Sequence, residues 1–140
     1  MKKILFTLTL LLAITGASIA QCGKTAVLTS TTTEHVDATG KLIRSEKETV
    51  LVEISKTAID ISVNGQHRIN GVIKTNTCAW SQSYKTGKTV IHAVIKKDGK
   101  DENVTLTITG KNGKIILGFV MESDLNDQVK ITADKFTAKA

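Results

Sequence analysis

Apolar side chains recur at every second position along most of the chain. Val50, Val52 and Ile54 alternate with Leu51 and Glu53, and a clearer alternation with threonines returns over residues 104–109. A two-residue period is typical of a β-strand with one buried face and one face in water. A helical period is hardly visible beyond residue 20. The pattern therefore predicts an all-β domain.

Short turn motifs separate the alternating segments. Three dipeptides have the sequence that two-residue hairpin turns require: Asn64-Gly65, Asp98-Gly99 and Asn112-Gly113. Residues 37–40, Asp-Ala-Thr-Gly, predict one more turn near the start, and a last strand is predicted from Gln128 to Phe136. The turns divide the chain into about eight or nine strands, each paired with the next in an antiparallel meander.

Such a meander must bury one face, either by closing into a barrel or by folding into a two-layer sandwich. Short sequential hairpins favour an up-and-down barrel. The chain has no proline, so proline cannot protect an exposed sheet edge, and closure removes the edges altogether. We therefore predict a barrel of about eight strands, with the sandwich as the alternative.

The first 20 residues have the layout of a secretory signal peptide. Lys2 and Lys3 precede a short apolar run, and small residues lead to Ala20, where we place the cleavage site. The run is shorter than the roughly 20 residues of a transmembrane helix. The prediction is a secreted or periplasmic protein whose single domain covers residues 21–140. Lipoprotein processing at Cys22 is an alternative, but Gln21 stands where that processing needs a small residue.

Cys22 and Cys78 are the only cysteines. In an exported protein they predict one disulfide bond, because oxidising compartments favour it. The bond would tie the start of the mature chain to the middle of the sheet. Two unpaired, small apolar side chains are the alternative.

Composition and charge argue against a nucleic-acid-binding protein. The chain has 19 Lys and Arg residues against 13 Asp and Glu, but only Arg44 and Arg68 are arginines and aromatic residues make up 4%. A nucleic-acid surface usually combines clustered arginines with stacking aromatics, so nucleic-acid binding is not expected. Paired carboxylates such as Glu46 and Glu48 are assigned to the solvation of turns. No metal or cofactor is expected.

Three residues are candidates for ligand binding. Trp80 and Tyr84 lie in residues 77–86, where the alternation lapses, and they predict either the rim of a binding site or an aromatic plug over one barrel end. His92 is in phase with Val90 and Val94, which predicts an inward position suited to holding a ligand or a proton. A histidine satisfied within the core is the alternative. We find no nucleophile with a base, metal triad or phosphate loop, so no enzyme is predicted.

The order of elements, an export signal followed by about eight hairpin strands, resembles small lipocalin-like β-barrel proteins secreted by bacteria. The Gly-x-Trp motif on the first strand of typical lipocalins is missing, since the only tryptophan is Trp80. No binding residues are therefore transferred. The resemblance implies a barrel that holds a small hydrophobic or amphipathic molecule. The alternative is a structural or protein-interaction module of the cell envelope, with a filled core and no ligand.

Overall fold

The computed structural model describes residues 21–140, apart from the side chain of His67; the predicted signal peptide lies outside the described residues. The described chain is built from β-strands: β1 (Ala26–Val36), β2 (Leu42–Ile54), β3 (Ala58–Val63), β4 (Gln66–Gln82), β5 (Thr86–Lys97), β6 (Lys100–Lys111), β7 (Lys114–Met121), β8 (Asp124–Thr132) and β9 (Lys135–Ala138). Within this part of the chain, no helix is both long enough and apolar enough to cross a membrane.

The strands close into a barrel. Each strand from β1 to β7 pairs antiparallel with the next, and β8 returns to pair with the last three residues of β1, Glu34–Val36. Strand β9 then pairs with the first part of β1, Ala26–Thr29. The prediction of an eight-stranded, up-and-down barrel is confirmed, and the sandwich alternative is not what the chain forms.

The predicted turns lie where the sequence placed them. Asn64, Asp98 and Asn112 all have positive φ angles, as the first residue of a two-residue hairpin turn requires. The last predicted strand is instead divided into β8 and β9. The division falls at residues 133 and 134, where Ala133 N–H donates to the Ile115 carbonyl and Asp134 N–H to the Thr29 carbonyl.

Alternating side chains fill one half of the barrel interior. The predicted inward residues of β2 and β6 are buried, with Val52 and Leu106 both fully inaccessible. Inward residues of β7, such as Leu117, pack into the same core. Burying each such side chain contributes about 1.5–3 kcal/mol, so this shared apolar interior is the main source of the fold's stability.

The indole of Trp80 closes one end of the barrel, which we call the closed end. It lies over a row of two paired glycines, Gly87 on β5 and Gly110 on β6. A methyl group added to Gly110 would lie 2.5 Å from the indole Cζ3, so only glycine leaves room for the ring. The indole Nε1–H donates to Thr89 Oγ1 at 2.7 Å, which satisfies its one polar group.

The N-terminal segment fastens onto the same end. The predicted disulfide between Cys22 and Cys78 is present, and it uses the sulfur that lipidation of Cys22 would need. Gln21 Oε1 accepts the Tyr84 N–H at 2.7 Å. The Tyr84 ring packs edge-on against Phe136, with the ring centroids 5.0 Å apart. A disulfide of this kind points to an oxidising compartment.

Candidate ligand-binding site

The opposite end of the barrel holds a cavity of about 460 Å³, which we call the mouth cavity. Its walls are mainly aliphatic and come from strands on all sides of the barrel: Val50, Val52, Ile61, Leu117, Val129 and Ile131. Sites for small molecules typically measure about 300–1,000 Å³ and have mostly apolar walls with a few polar groups. The void beside the disulfide at the closed end measures only about 30 Å³, room for about one water molecule.

Four charged or ionisable side chains form a connected group at the edge of this cavity, and we call them the mouth network: His35, Arg44, Glu46 and Asp127. His35 Nδ1 lies 2.7 Å from Asp127 Oδ1. An ionised carboxylate can only accept, so the imidazole donates. The Arg44 guanidinium donates to Asp127 Oδ2 and to Glu46 Oε1, both at 3.3 Å. The network joins β1 and β2 to β8.

This position matters because the β8–β1 pairing is short. It consists of three residue pairs, from Glu34 opposite Lys130 to Val36 opposite Gln128, whereas β1 and β2 pair over most of their length. The mouth network bridges this short pairing with side chains. We therefore assign the mouth network the role of stabilising the pairing of β8 with β1 near the mouth cavity.

The environment of Asp127 favours its charged form. The hydrogen bond from His35 lowers the pKa of the Asp127 carboxyl below its ordinary value of 3.8, and Arg44 adds to the effect through its own hydrogen bond and charge. The carboxylate is thus held ionised more firmly in the folded protein than in the unfolded chain.

The stability of the barrel should therefore depend on pH through Asp127. A lowered folded-state pKa favours folding at pH values above the ordinary carboxyl pKa, and this contribution disappears as the pH falls through the folded-state value. We expect Asp127→Asn, which cannot titrate, to be less stable than the native protein at pH 7, and the difference to shrink as the pH falls below the ordinary carboxyl pKa. Urea denaturation at a series of pH values measures this difference. A difference that stays constant over the range would contradict the assignment.

Other polar groups line the mouth cavity without such partners. Arg68 and Lys97 line it, and neither forms an ion pair among residues 21–140 within the distance that defines one. Thr33 lines the same cavity and is 3% exposed. Its hydroxyl oxygen is buried and has no hydrogen-bond partner in the described structure. Unsatisfied buried hydroxyls are rare in native proteins.

The sequence contained a signal for these mouth residues that the turn interpretation missed. Arg44, Glu46 and Glu48 have the same two-residue phase as the core residues Val50 and Val52 further along β2. The assignment of Glu46 and Glu48 to turn solvation is wrong, because they lie within one continuous strand and line the cavity. Charged residues in phase with core residues indicate a strand that runs from a filled interior to an open mouth.

Trp80 and Tyr84, the first two candidate binding residues, lie at the closed end. Neither lines the mouth cavity. The Trp80 ring is 5.7 Å from Phe136 between centroids and is 2% exposed, and burial raises the pKa of the Tyr84 hydroxyl. Their arrangement is that of the aromatic plug, which was the alternative to a binding rim.

The predicted inward position of His92 is wrong. Ile91, Ala93 and Ile95 point into the barrel, while His92 is exposed on the outside. Its Nδ1 lies 3.1 Å from the hydroxyl of Thr105, its outward-facing partner on β6. Both phases of β5 carry apolar residues, so alternation within this strand alone did not decide which face is buried.

Comparisons with protein-family models, with curated proteins and with solved structures each gave no match. The interpretation of the mouth cavity therefore rests on the residues of this chain.

Proposed function

We propose that this protein is a secreted, lipocalin-like binding protein that holds a small amphipathic molecule in the mouth cavity. The observation that carries the proposal is the cavity itself, about 460 Å³ in volume with aliphatic walls at one end of an otherwise filled barrel. The alternative, an envelope interaction module with a filled core, accounts for the closed end but not for this space.

The distribution of polarity in the cavity supports an amphipathic ligand. Side chains such as Val52 and Leu117 lie towards the barrel interior and are almost fully buried. The mouth carries exposed charged groups, including Arg44 and Arg68. An apolar part of a ligand would replace water against the walls, which contributes roughly 25 cal/mol per Å² of apolar surface buried, while a polar part remains at the mouth.

The Thr33 hydroxyl supports the same proposal. A buried hydroxyl without a partner costs about 1–3 kcal/mol relative to a satisfied one. Thr33 lines the cavity, so a polar atom of a bound molecule could supply the missing hydrogen bond.

Filling the cavity should weaken binding strongly. The probe is N-phenyl-1-naphthylamine, an uncharged fluorophore whose emission rises in apolar surroundings. We expect Val129→Trp, which places a large ring in the cavity wall, to weaken probe binding at least about tenfold, or about 1.4 kcal/mol. The matched control is Val72→Trp on β4, because Val72 is 58% exposed and does not line the cavity.

The control should bind the probe as the native protein does, and circular dichroism should show both variants to be folded. Absence of saturable probe binding to the native protein would contradict the proposed function. Equal binding by Val129→Trp and the native protein would also contradict it, because the probe would then bind elsewhere.

A further inference from the structure

Among the charged side chains that line the mouth cavity, the cations outnumber the carboxylates. Those that line it include four permanent cations and two carboxylates: Arg44, Arg68, Lys96, Lys97, Glu46 and Glu48. A cleft with low-dielectric walls and an excess of one sign of charge attracts ligands of the opposite sign. The composition of the mouth therefore favours an anion, provided that its cations are not already neutralised.

Two of the cations are neutralised within the fold. Arg44 forms ion pairs with Glu46 and Asp127, both at 3.3 Å. Lys96 forms an ion pair with Asp101 in the neighbouring strand β6. Of the six charged side chains that line the cavity, Arg44, Lys96 and Glu46 are therefore already paired.

The other two cations keep their charge available. In the described part of the chain, no carboxylate lies within ion-pair distance of Arg68 or Lys97. The Lys97 ammonium is 3.9 Å from the thioether sulfur of Met121, which also lines the cavity. A thioether is only a weak acceptor. The Lys97 charge also acts on the Glu102 carboxylate, which lies beyond ion-pair distance and does not line the cavity.

Glu48 is the carboxylate that opposes this charge. It lines the cavity and forms no ion pair with any described cation. The unpaired groups at the mouth are therefore two cations and one anion. The net charge of these unpaired groups is positive. Neutralising Glu48 by substitution should make this net charge more positive.

We propose that the mouth cavity selects amphiphiles with an anionic head group, a carboxylate or a phosphate, which Arg68 and Lys97 bind at the mouth while the apolar tail lies against the aliphatic walls. This inference rests on the proposed function. It adds the sign of the ligand's charge and the residues that recognise it. Arginine and lysine form charge-assisted hydrogen bonds with such groups, which are stronger than bonds between neutral partners.

The test compares ten-carbon amphiphiles that differ in their head groups. Decanoate, decyl phosphate, 1-decanol and decyltrimethylammonium each compete with N-phenyl-1-naphthylamine at pH 7.5, below their micelle-forming concentrations. We expect both anions to displace the probe from the native protein at concentrations at least about tenfold lower than the cation requires. Acetate and inorganic phosphate, which lack a tail, should not displace it. A preference between the two decyl anions distinguishes carboxylate from phosphate recognition.

Variants identify the residues responsible. In the double variant Arg68→Gln, Lys97→Gln, the cation and the anions should displace the probe at nearly equal concentrations, and the affinity for decanoate should fall much more than the affinity for 1-decanol. Glu48→Gln should increase the preference for anions. The control is Lys88→Gln, Lys111→Gln, which removes the same charge from exposed positions on β5 and β6 that do not line the cavity, and it should keep the native ratio.

The outcomes separate this inference from the function on which it rests. If 1-decanol and the cation compete as well as the anions do, the cavity binds amphiphiles but the charge selection is wrong. If the control variant loses the preference as fully as the double variant, net charge rather than Arg68 and Lys97 is responsible, which also overturns the inference. If no amphiphile displaces the probe, the proposed function fails as well.

Discussion

Replacing both cysteines, Cys22→Ser with Cys78→Ser, is expected to lower the free energy of unfolding by about 4 kcal/mol. The bond joins residues 56 positions apart, with their Cα atoms separated by 5.9 Å. Cross-linking so long a segment restricts the unfolded chain, and in the chain-entropy model the stabilisation grows with the length of the closed loop. Most small domains have only about 5–15 kcal/mol of stability in total, so this loss is large.

The structure adds a local effect to this loss. The bond holds the N-terminal segment beside Tyr84, whose N–H donates to Gln21, and that contact should weaken when the segment is released. Urea denaturation of the double variant, alongside the native protein with and without dithiothreitol, measures the change. The reduced native protein should match the variant. A loss below about 1 kcal/mol would show that the bond contributes little to folding. Probe binding should persist in folded variant protein, because neither cysteine lines the mouth cavity.

Gly110→Ala is expected to destabilise the barrel by about 1–3 kcal/mol. The added methyl group would lie 2.5 Å from the Trp80 ring and 2.8 Å from the backbone oxygen of Lys85. The indole cannot move away freely, because it is buried and hydrogen-bonded to Thr89. Thermal or urea denaturation measures the change, and a shifted tryptophan fluorescence spectrum would report the displaced ring.

A second glycine provides the matched control. Gly118 lies in the adjacent strand β7, where a methyl group would have its nearest neighbour, the Thr107 carbonyl oxygen, at 3.9 Å. Gly118→Ala should be neutral or slightly stabilising, because alanine reduces the conformational freedom of the unfolded chain. If the two variants have equal stability, the close contact between Trp80 and Gly110 does not constrain the fold.

The fold was predictable because its signals are local and repeated. Alternation fixed the inward faces of β2 and β6, and turn sequences such as Asn64-Gly65 fixed the hairpins. The disulfide followed from having only two cysteines in a chain expected to be exported. Each of these inferences needs only neighbouring residues or the number of cysteines, so none of them depends on how distant parts of the chain meet in the fold.

The orientation of β5 was not decided by its own sequence. Its two faces are both partly apolar, and the valines on either side of His92 favoured the wrong one. Pairing with β6 would have decided the matter, because residues opposite each other in antiparallel strands point to the same side. Ile91 pairs with Leu106, and His92 pairs with Thr105.

The candidate site was missed for a different reason. Its residues are distributed over strands far apart in sequence, and Arg44 and Asp127 meet only because the barrel closes between β8 and β1. The sequence instead suggested Trp80 and Tyr84, the chemically distinctive aromatics, as candidates for a binding rim, with an aromatic plug as the alternative. These residues lie at the end opposite the cavity, where both rings pack against Phe136.

The most direct test of the account is to map where an amphiphile binds, using the methyl resonances of the native protein in NMR spectra during titration with decanoate. Binding in the mouth cavity predicts saturable shifts for methyl groups that line it, including Val50, Leu117 and Ile131, and no shift for Ile108 beside the disulfide at the closed end. Shifts centred on the closed end, or no saturable shifts at all, would contradict it.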